Sequence, residues 1–398
     1  MSAQTTATIR VVDPEEFITL GVNTYSFGKS PAKPDLEKAR AGLKYDESRT
    51  GIAVFEDGQP LASASLHEMA ENIRGKVLKM GGYGGVASFP HARRQGHVRN
   101  MLVFGYELMH ERGIPVSTLY PFRDSFYERL GYTQIPQNRF ATIKPEALAP
   151  LVRESLPIEV TQQEIGTAFD DWWGFQERLL SERHGFGLFA RSRAVQWQDE
   201  NEDWVALARE HGEITGAMTF KITGYGKNLE ADTFQYTTPA ARYGLLAWIG
   251  RHVDQVKAAV LELGPGEYPE TWYRDIYATS STDHENAWPS PMGRVISVAG
   301  LDGIGAGAET SVSFTLVDDQ CPWNCGLWTL SGEDGVLRVK EGGNPSCHLT
   351  IQGLSSLVWY GEDPATFSIR HWGDPNAETG RKLRAMFPPA LPELNEKF

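Results

Sequence analysis

"VASFPHARRQGHVRNML", residues 86–102, passes from small and β-branched residues through a proline into an apolar-periodic segment. Strand, loop and helix in that order gather Arg93, Arg94 and Arg99 around one glycine, Gly96. A helix start concentrates unpaired backbone N–H groups and the positive end of the helix dipole, and residues 94–99 fall at that start. Gly96 lets the backbone approach an anion with no Cβ in the way, and the arginines can add charge-assisted hydrogen bonds. The stretch is either a cradle for a pyrophosphate or a solvated turn. Neither GxxxxGK[ST] nor GxGxxG is present, so it is not a Walker loop or a dinucleotide turn.

The surrounding composition makes the basic loop conspicuous. The chain has 398 residues, more than one ordinary core holds, which predicts two or three domains. With 41% hydrophobic and 22% charged residues it has the make-up of a globular protein. Its formal net charge of -13 speaks against a nucleic-acid partner and favours cationic small molecules. No apolar run approaches the roughly 20 residues of a membrane span. "MSAQTTATIRVV" lacks the basic and apolar regions of a secretory leader, so no membrane partner and a cytoplasmic location are expected. Cys321, Cys325 and Cys347 are too few for a disulfide framework. Cys347 and His348 are adjacent and would point apart on a strand, a poor half of a zinc site, so buried free thiols and no metal are expected.

Three units follow along the chain. Residues 1–150 hold a strand (TIRVV), a helix opened by Pro14, a hairpin around Asp57-Gly58, two short runs (KVLKM and YGGVAS), the basic loop and a helix over 97–112. A strand (PVSTLY), a helical turn (DSFYERL) and a last strand (GYTQI) then close a mixed α/β domain. Residues 151–285 repeat this order: a hairpin (WVALARE, AMTFKI), a strand (LEADTFQ), and a loop feeding a long helix up to AVLEL. The second loop carries Pro239, Arg242 and Gly244 with no further arginine until Arg251, which suggests a duplicated domain with a decayed phosphate loop. Residues 286–398 hold four alternating strands (SVSFTLVDD, CGLWTL, GVLRVK, CHLTI), two helices (GLSSLVWYG, AETGRKLRAMF) and a proline-rich end.

Strand, P-x-x-R-R-x-G, helix, then a strand and a Tyr-bearing turn resembles motif A of the GNAT acetyltransferases. Arg93-Arg94-Gln95-Gly96-His97-Val98 matches their Q/R-x-x-G-x-G/A signature except at Val98, and "DSFYERLGY" places Tyr127 four residues before Gly131-Tyr132. Over nearly its full length the chain resembles the Eis (enhanced intracellular survival) type. That layout is α/β (α+β): two fused GNAT-type mixed-sheet domains, the second degenerate, then a sterol-carrier-protein-like α/β domain. "WNCGLWTL", "LSSLVWYG" and Phe398 fall where it would put them.

The resemblance implies an acetyl-CoA-dependent N-acetyltransferase. Val86, Ala87 and Ser88 would offer strand backbone to the pantetheine arm of acetyl-CoA. Arg94, Gln95, Gly96, His97, Val98 and Arg99 would cradle the pyrophosphate, and Phe122 and Arg123 would flank the acyl end. Tyr127 would be the general acid and Phe398, through its terminal carboxylate, the general base. The acceptor would be a primary amine of a polycationic small molecule, aminoglycoside-like or a polyamine, and the assembly a homo-oligomer, a hexamer. A lysine or peptide acceptor, or a non-catalytic CoA- or lipid-binding relic, are the alternatives. Val98 departs from the small residue of the signature, Gln95 removes one charge from the loop, and Phe122 and Arg123 stand where relatives have small or acidic residues. Tyr25 and Phe27 in "NTYSFG" are read as helix-end core residues in preference to aromatic faces for a cation, and Glu396 lies two residues before the implied base.

Overall fold

The computed structural model describes residues 7–28, 31 and 35–398. The first six residues, which fall in the stretch read for a leader, lie outside the described residues. Strand β1 (Thr8–Val12) leads to helices α1 (Pro14–Thr19), α2 (Val22–Phe27) and α3 (Leu36–Gly42). The single helix expected from Pro14 is two, because Gly21 sits at φ 71° between them, a conformation no α-helix continues through. Strands β2 (Arg49–Glu56) and β3 (Gln59–Ile73) form the expected hairpin, with Asp57 and Gly58 both at positive φ. The two short runs after it form one strand, β4 (Lys76–Ser88). Helix α4 (His97–Glu111) buries Met101, Leu102, Gly105, Tyr106 and Met109 on one face. It is followed by β5 (Val116–Leu119), α5 (Asp124–Glu128), β6 (Thr133–Gln134) and β7 (Arg139–Ile143).

The middle of the chain runs α6 (Ala149–Val152), β8 (Glu159–Glu164), α7 (Ile165–Glu182), β9 (Gly187–Phe189), α8 (Arg191–Glu200), β10 (Trp204–Glu210), β11 (Glu213–Ile222), β12 (Leu229–Tyr236), α9 (Pro239–Gly250), β13 (Ala259–Leu263) and β14 (Thr279–Ser281). The long helix expected here stops at Gly250, and AVLEL emerges as a fully buried strand. An apolar run of that length suits either element, and the sheet decides it. The last part comprises β15 (Met292–Val295), β16 (Ser311–Val317), β17 (Gly326–Glu333), β18 (Val336–Glu341), β19 (Cys347–Thr350), α10 (Ile351–Trp359), α11 (Phe367–Arg370) and α12 (Ala377–Met386).

These strands build three sheets, and the first two follow one plan. The first has the order β1-β2-β3-β4-β5-β15-β6, and the second, taken from its β8 end, β8-β10-β11-β12-β13-β7-β14. In each the fourth and fifth strands are parallel and every other neighbouring pair is antiparallel. The sixth position is exchanged. Met292–Val295, from beyond the second sheet's own strands, pairs with β5, while Arg139–Ile143, from the first stretch, pairs with β13. The sheets therefore trade a strand across the boundaries expected at 150 and 285. Strand β9 adds a further link by pairing with β3 at Met69–Glu71.

The third sheet, β18-β17-β16-β19, packs its apolar face into a core that also contains Met69, Ile73 and Met80 of the first sheet. Trp359 of α10 donates from Nε1 to Glu71 of β3 at 3.0 Å. Among the described residues no helix is long and apolar enough to cross a membrane. The three cysteines are free, but only Cys321 is buried. Cys325 is exposed, against expectation, because it ends the short turn at Pro322–Asn324 on the outer side of β17.

Candidate active site

Parallel pairing of β4 with β5 runs from Met80–Val116 to Tyr83–Leu119 and stops there. Strand β5 ends, whereas β4 continues to Ser88 with β3 as its partner on the other side. Val86, Ala87 and Ser88 thus lie on a strand whose second edge has no strand beside it, the condition under which an extended ligand can take the free backbone groups. Past the strand, Arg94 and Gly96 both adopt left-handed φ, 63° and 84°. Gly96 caps α4 without any side-chain bond, and the first backbone bond across the helix start is Asn100 N–H to the Gly96 carbonyl at 3.0 Å. The amides of His97, Val98 and Arg99 are therefore left without intrahelical acceptors. Arg93, Arg94, Gln95 and Arg99 are exposed and His97 and Val98 half-buried. These residues follow β4 directly along the chain, so the residues implied for the phosphates and for the pantetheine arm are contiguous.

Tyr127 lies on α5 where the chain turns back toward the sheet. Its ring packs edge-on against Phe122 at 5.3 Å, Phe126 at 5.1 Å and Tyr132 at 6.0 Å. Burial, with the Tyr132 ring beside it, pushes its phenol well above the ordinary tyrosine range, so it stays protonated. Phe122 itself is 66% exposed, an aromatic face standing open next to the buried phenol. Arg123 is exposed and forms the N-cap of α5.

The C-terminal segment is threaded between β4, β9 and β13, against Tyr120 at the end of β5. Arg183 holds the Glu393 carboxylate with two bonds of 2.9 and 3.0 Å, Gly187 N–H donates to Asn395, Tyr120 donates to the Glu396 carbonyl at 3.0 Å, and Lys397 pairs with Glu262 at 2.6 Å. The Phe398 ring is clamped edge-on between Tyr120 at 5.8 Å and Phe189 at 6.1 Å. Beneath it lie two glycines of β4. A Cβ at Gly82 would stand 2.8 Å from the Phe398 ring, and one at Gly84 would stand 2.9 Å from its carboxyl carbon. Gly84 is the first residue of β4 past the parallel pairing with β5, so the carboxyl group sits where the two strands part.

Beside the tail is a cavity of about 390 Å³ between α7, α8, β11, β12 and residues 395–397. Asp203, Asp232 and Glu396 bring carboxylates to its wall, Trp172, Trp197 and Phe189 bring rings, and Arg193 and Lys397 are its cations. Desolvation pushes Glu396 up to about 8 and raises Asp203. One carboxylate oxygen of Asp203 is buried, with Lys221 Nζ 3.5 Å away as its counter-ion. A cation entering here would meet poorly solvated acids, an attractive arrangement for an ammonium group. Tyr25 and Phe27 are not core residues. They are 43% and 68% exposed, and among the described residues only Tyr25 finds an aromatic neighbour, Phe89 at 5.6 Å, because side chains two residues apart on a helix point to opposite sides.

Residues 10–135 match the acetyltransferase (GNAT) domain family, and residues 298–392 match the sterol carrier protein domain family. The first of the three sheets is a GNAT acetyltransferase domain. No curated protein sequence matches the chain. Solved structures share its whole fold: a conserved protein of unknown function from Enterococcus faecalis (20% identity, 99% of this chain and 100% of that one, TM-score 0.84), a GCN5-related N-acetyltransferase from Anabaena variabilis (18%, 99% and 100%, 0.81), and Eis1 from Mycobacterium abscessus (13%, 98% and 100%, 0.76). The GNAT domain therefore sits in an Eis-type fold, with a second GNAT-like sheet and a sterol-carrier-like domain behind it.

The loop of the second sheet is built differently from that of the GNAT domain. Thr238 caps α9 by accepting from Ala241 N–H at 3.1 Å, and its hydroxyl donates to Glu210 at 2.5 Å. One amide of the helix start is thus already taken, and the cap faces a carboxylate. Arg242 is turned away onto the rings of Tyr236, Tyr243 and Trp272. Several residues of the GNAT-domain site and its neighbouring cavity went unmarked in the sequence: Gly82, Gly84, His67, Tyr120, Asp203 and Asp232. Only the glycines left a usable signal. Two glycines at alternate positions of a strand mark a place where other atoms come close to the backbone, and "MGGYGG" contains that pattern.

Proposed function

We propose that the protein transfers the acetyl group of acetyl-CoA to primary amines of a polycationic small molecule, aminoglycoside-like or a polyamine, with Tyr127 as general acid and the terminal carboxylate of Phe398 as general base. The observation that carries this reading is the Phe398 carboxyl carbon lying over Gly84, where β4 and β5 separate and the free edge of β4 begins. Acetyl-CoA, when bound, supplies an activated thioester. The exposed basic loop at 94–99 and the unpaired edge at 86–88 fit its pyrophosphate and pantetheine arm, and Phe122 and Arg123 stand at the acyl end.

An alkylammonium is not a nucleophile until it loses a proton. The Phe398 carboxylate draws the ammonium in and takes that proton, and the freed nitrogen attacks the thioester carbon. As the C–N bond forms and the C–S bond breaks, Tyr127 gives its phenolic proton to the sulfur. A phenol raised by burial is a weak acid in water. The same desolvation raises the basicity of a thiolate formed beside it, so the two stay matched. The carboxylates of the neighbouring cavity favour an acceptor with several positive charges. The second sheet, its helix start already capped, has lost its cofactor site on this reading. The reading also includes a cytoplasmic homo-oligomer, a hexamer on the resemblance, which sedimentation of the purified chain checks.

The test is CoA thiol release from acetyl-CoA with aminoglycosides, spermidine and a lysine peptide as acceptors. Release with the first two supports the proposal, and release with the peptide alone replaces the acceptor class. No release from a chain that still binds acetyl-CoA leaves a relic.

A further inference from the structure

The glycine at 84 leaves room for two groups, and one of them is not yet accounted for. The position that a Gly84 Cβ would take is 2.9 Å from the Phe398 carboxyl carbon and 3.4 Å from Nε2 of His67. His67 lies on β3 opposite Gly82, on the face where the terminal residue rests. Its ring packs edge-on against Phe189 at 5.7 Å, and Phe189 packs edge-on against Phe398 at 6.1 Å, so the imidazole is fixed in orientation relative to the tail. Nδ1 is buried with no hydrogen-bond partner among the described residues. Nε2 is the nitrogen turned toward the site.

We infer that His67 is a positioning residue for the acyl transfer: its Nε2–H holds the Phe398 carboxylate in the orientation that receives the acceptor ammonium. This rests on the reading of Phe398 as the base. The charged groups around the imidazole agree with a neutral ring. Burial holds His67 down to about 3, and Arg49 of β2, itself paired with Asp46, and Arg193 of α8 add to it by opposing a further positive charge. Glu396, buried in the adjoining cavity, faces Arg193. A neutral imidazole carries one N–H. Placed on Nε2 it points to the side of Gly84 on which the Phe398 carboxyl group lies, whereas on Nδ1 it would be a buried donor without an acceptor among the described residues. A donor to the carboxylate favours its charged form, which keeps the base ionised as the surroundings desolvate it.

Two measurements test this. The first is the tautomer of His67 by nitrogen NMR on the unmodified protein. Nε2–H is expected, and Nδ1–H overturns the inference. The second is the pH profile of kcat/KM. His67→Phe keeps an aromatic ring without the donor, and it should lower kcat by about tenfold to a hundredfold and move the acid limb to higher pH, with acetyl-CoA affinity unchanged. His67→Gln, which keeps a donor, should restore both. A His67→Phe enzyme with the wild-type limb and rate overturns the inference. Extending the chain by one residue beyond Phe398 tests the parent reading separately. If the extended enzyme keeps full turnover, the carboxylate is not the base and both readings fall. If extension slows it while His67→Phe has no effect, only His67 is misassigned.

Discussion

A methyl group at residue 84 would stand 2.9 Å from the carbon of the proposed base, closer than packed carbon atoms approach. Gly84→Ala should therefore push the Phe398 carboxyl off β4. Misplacing a reacting group by about an ångström costs on the order of a hundredfold in rate, so kcat should fall by about that factor while acetyl-CoA still binds. Calorimetry of acetyl-CoA binding beside steady-state rates separates the two effects. Tyr127→Phe makes a different prediction. It removes the proton donor and leaves the aromatic packing with Phe122, Phe126 and Tyr132, so turnover should drop by about a hundredfold or more at unchanged fold and CoA affinity. Its phenol is raised above the ordinary tyrosine range, so the wild-type rate should show no loss from Tyr127 ionisation on the alkaline side up to pH about 10. Much of this site was legible. The basic loop announced itself by three arginines at a helix start, and Tyr127 by its motif. His67 could not be read, because its partners arrive from residues 189 and 398, far away in sequence.

At the scale of elements, α5 is held from behind by the last third of the chain. Arg294, on the exchanged strand β15, is fully buried, donates to the carbonyl of Leu130 just past α5, and pairs with Asp318 through bonds of 2.8 and 2.9 Å. Gln352 of α10 donates to the Glu128 carbonyl at 2.8 Å. The helix that carries Tyr127 is thus gripped at its C-terminal end by groups from β15 and α10, with Asp318 of the sterol-carrier-like domain as counter-ion. Asp318→Ala would leave a buried guanidinium unpaired, a loss of about 3–5 kcal/mol, and chemical denaturation should show it. Removing both charges with Arg294→Met and Asp318→Leu should restore only part of that stability, because Asp318 also accepts from the Gln320 and Cys321 amides and from Asn324, and those buried donors stay unpaired. The elements themselves were only partly legible. The hairpins and α4 carry strong local signals, in turn chemistry and in one apolar face. Helix α9 and strand β13 were merged because Ala259–Leu263 is apolar at every position but Glu262 and only its neighbours β12 and β7 make it a strand. Helix α7 went unread although Ile165, Phe169, Trp172 and Gln176 lie on one buried stripe.

Across the whole molecule, Glu71 is, with Glu396, a buried carboxyl sensitive to a change of pH. Glu71 is fully buried between the first sheet and α10, accepts one bond from Trp359, and has its second oxygen without a partner among the described residues. Burial raises it from 4.5 to about 8. A carboxyl bound more tightly to its proton in the folded chain gives its full contribution below pH 4.5, and that contribution is lost as pH climbs to about 8. Glu396, raised in the same way, adds to the slope. Glu71→Gln should be more stable than wild type by about 2–4 kcal/mol at pH 8.5, with the gap shrinking toward pH 5, as melting curves across that range would show. The exchanged strands bear on how such a chain is made. On the ribosome β5 appears long before Met292–Val295, its partner in the first sheet. At about 5–20 residues per second the open edge of β5 waits roughly ten to thirty seconds, unless β7, which emerges first and belongs to the other sheet, lies there meanwhile. Synthesis rate and chaperone supply should therefore govern the yield of folded enzyme more than its final stability does.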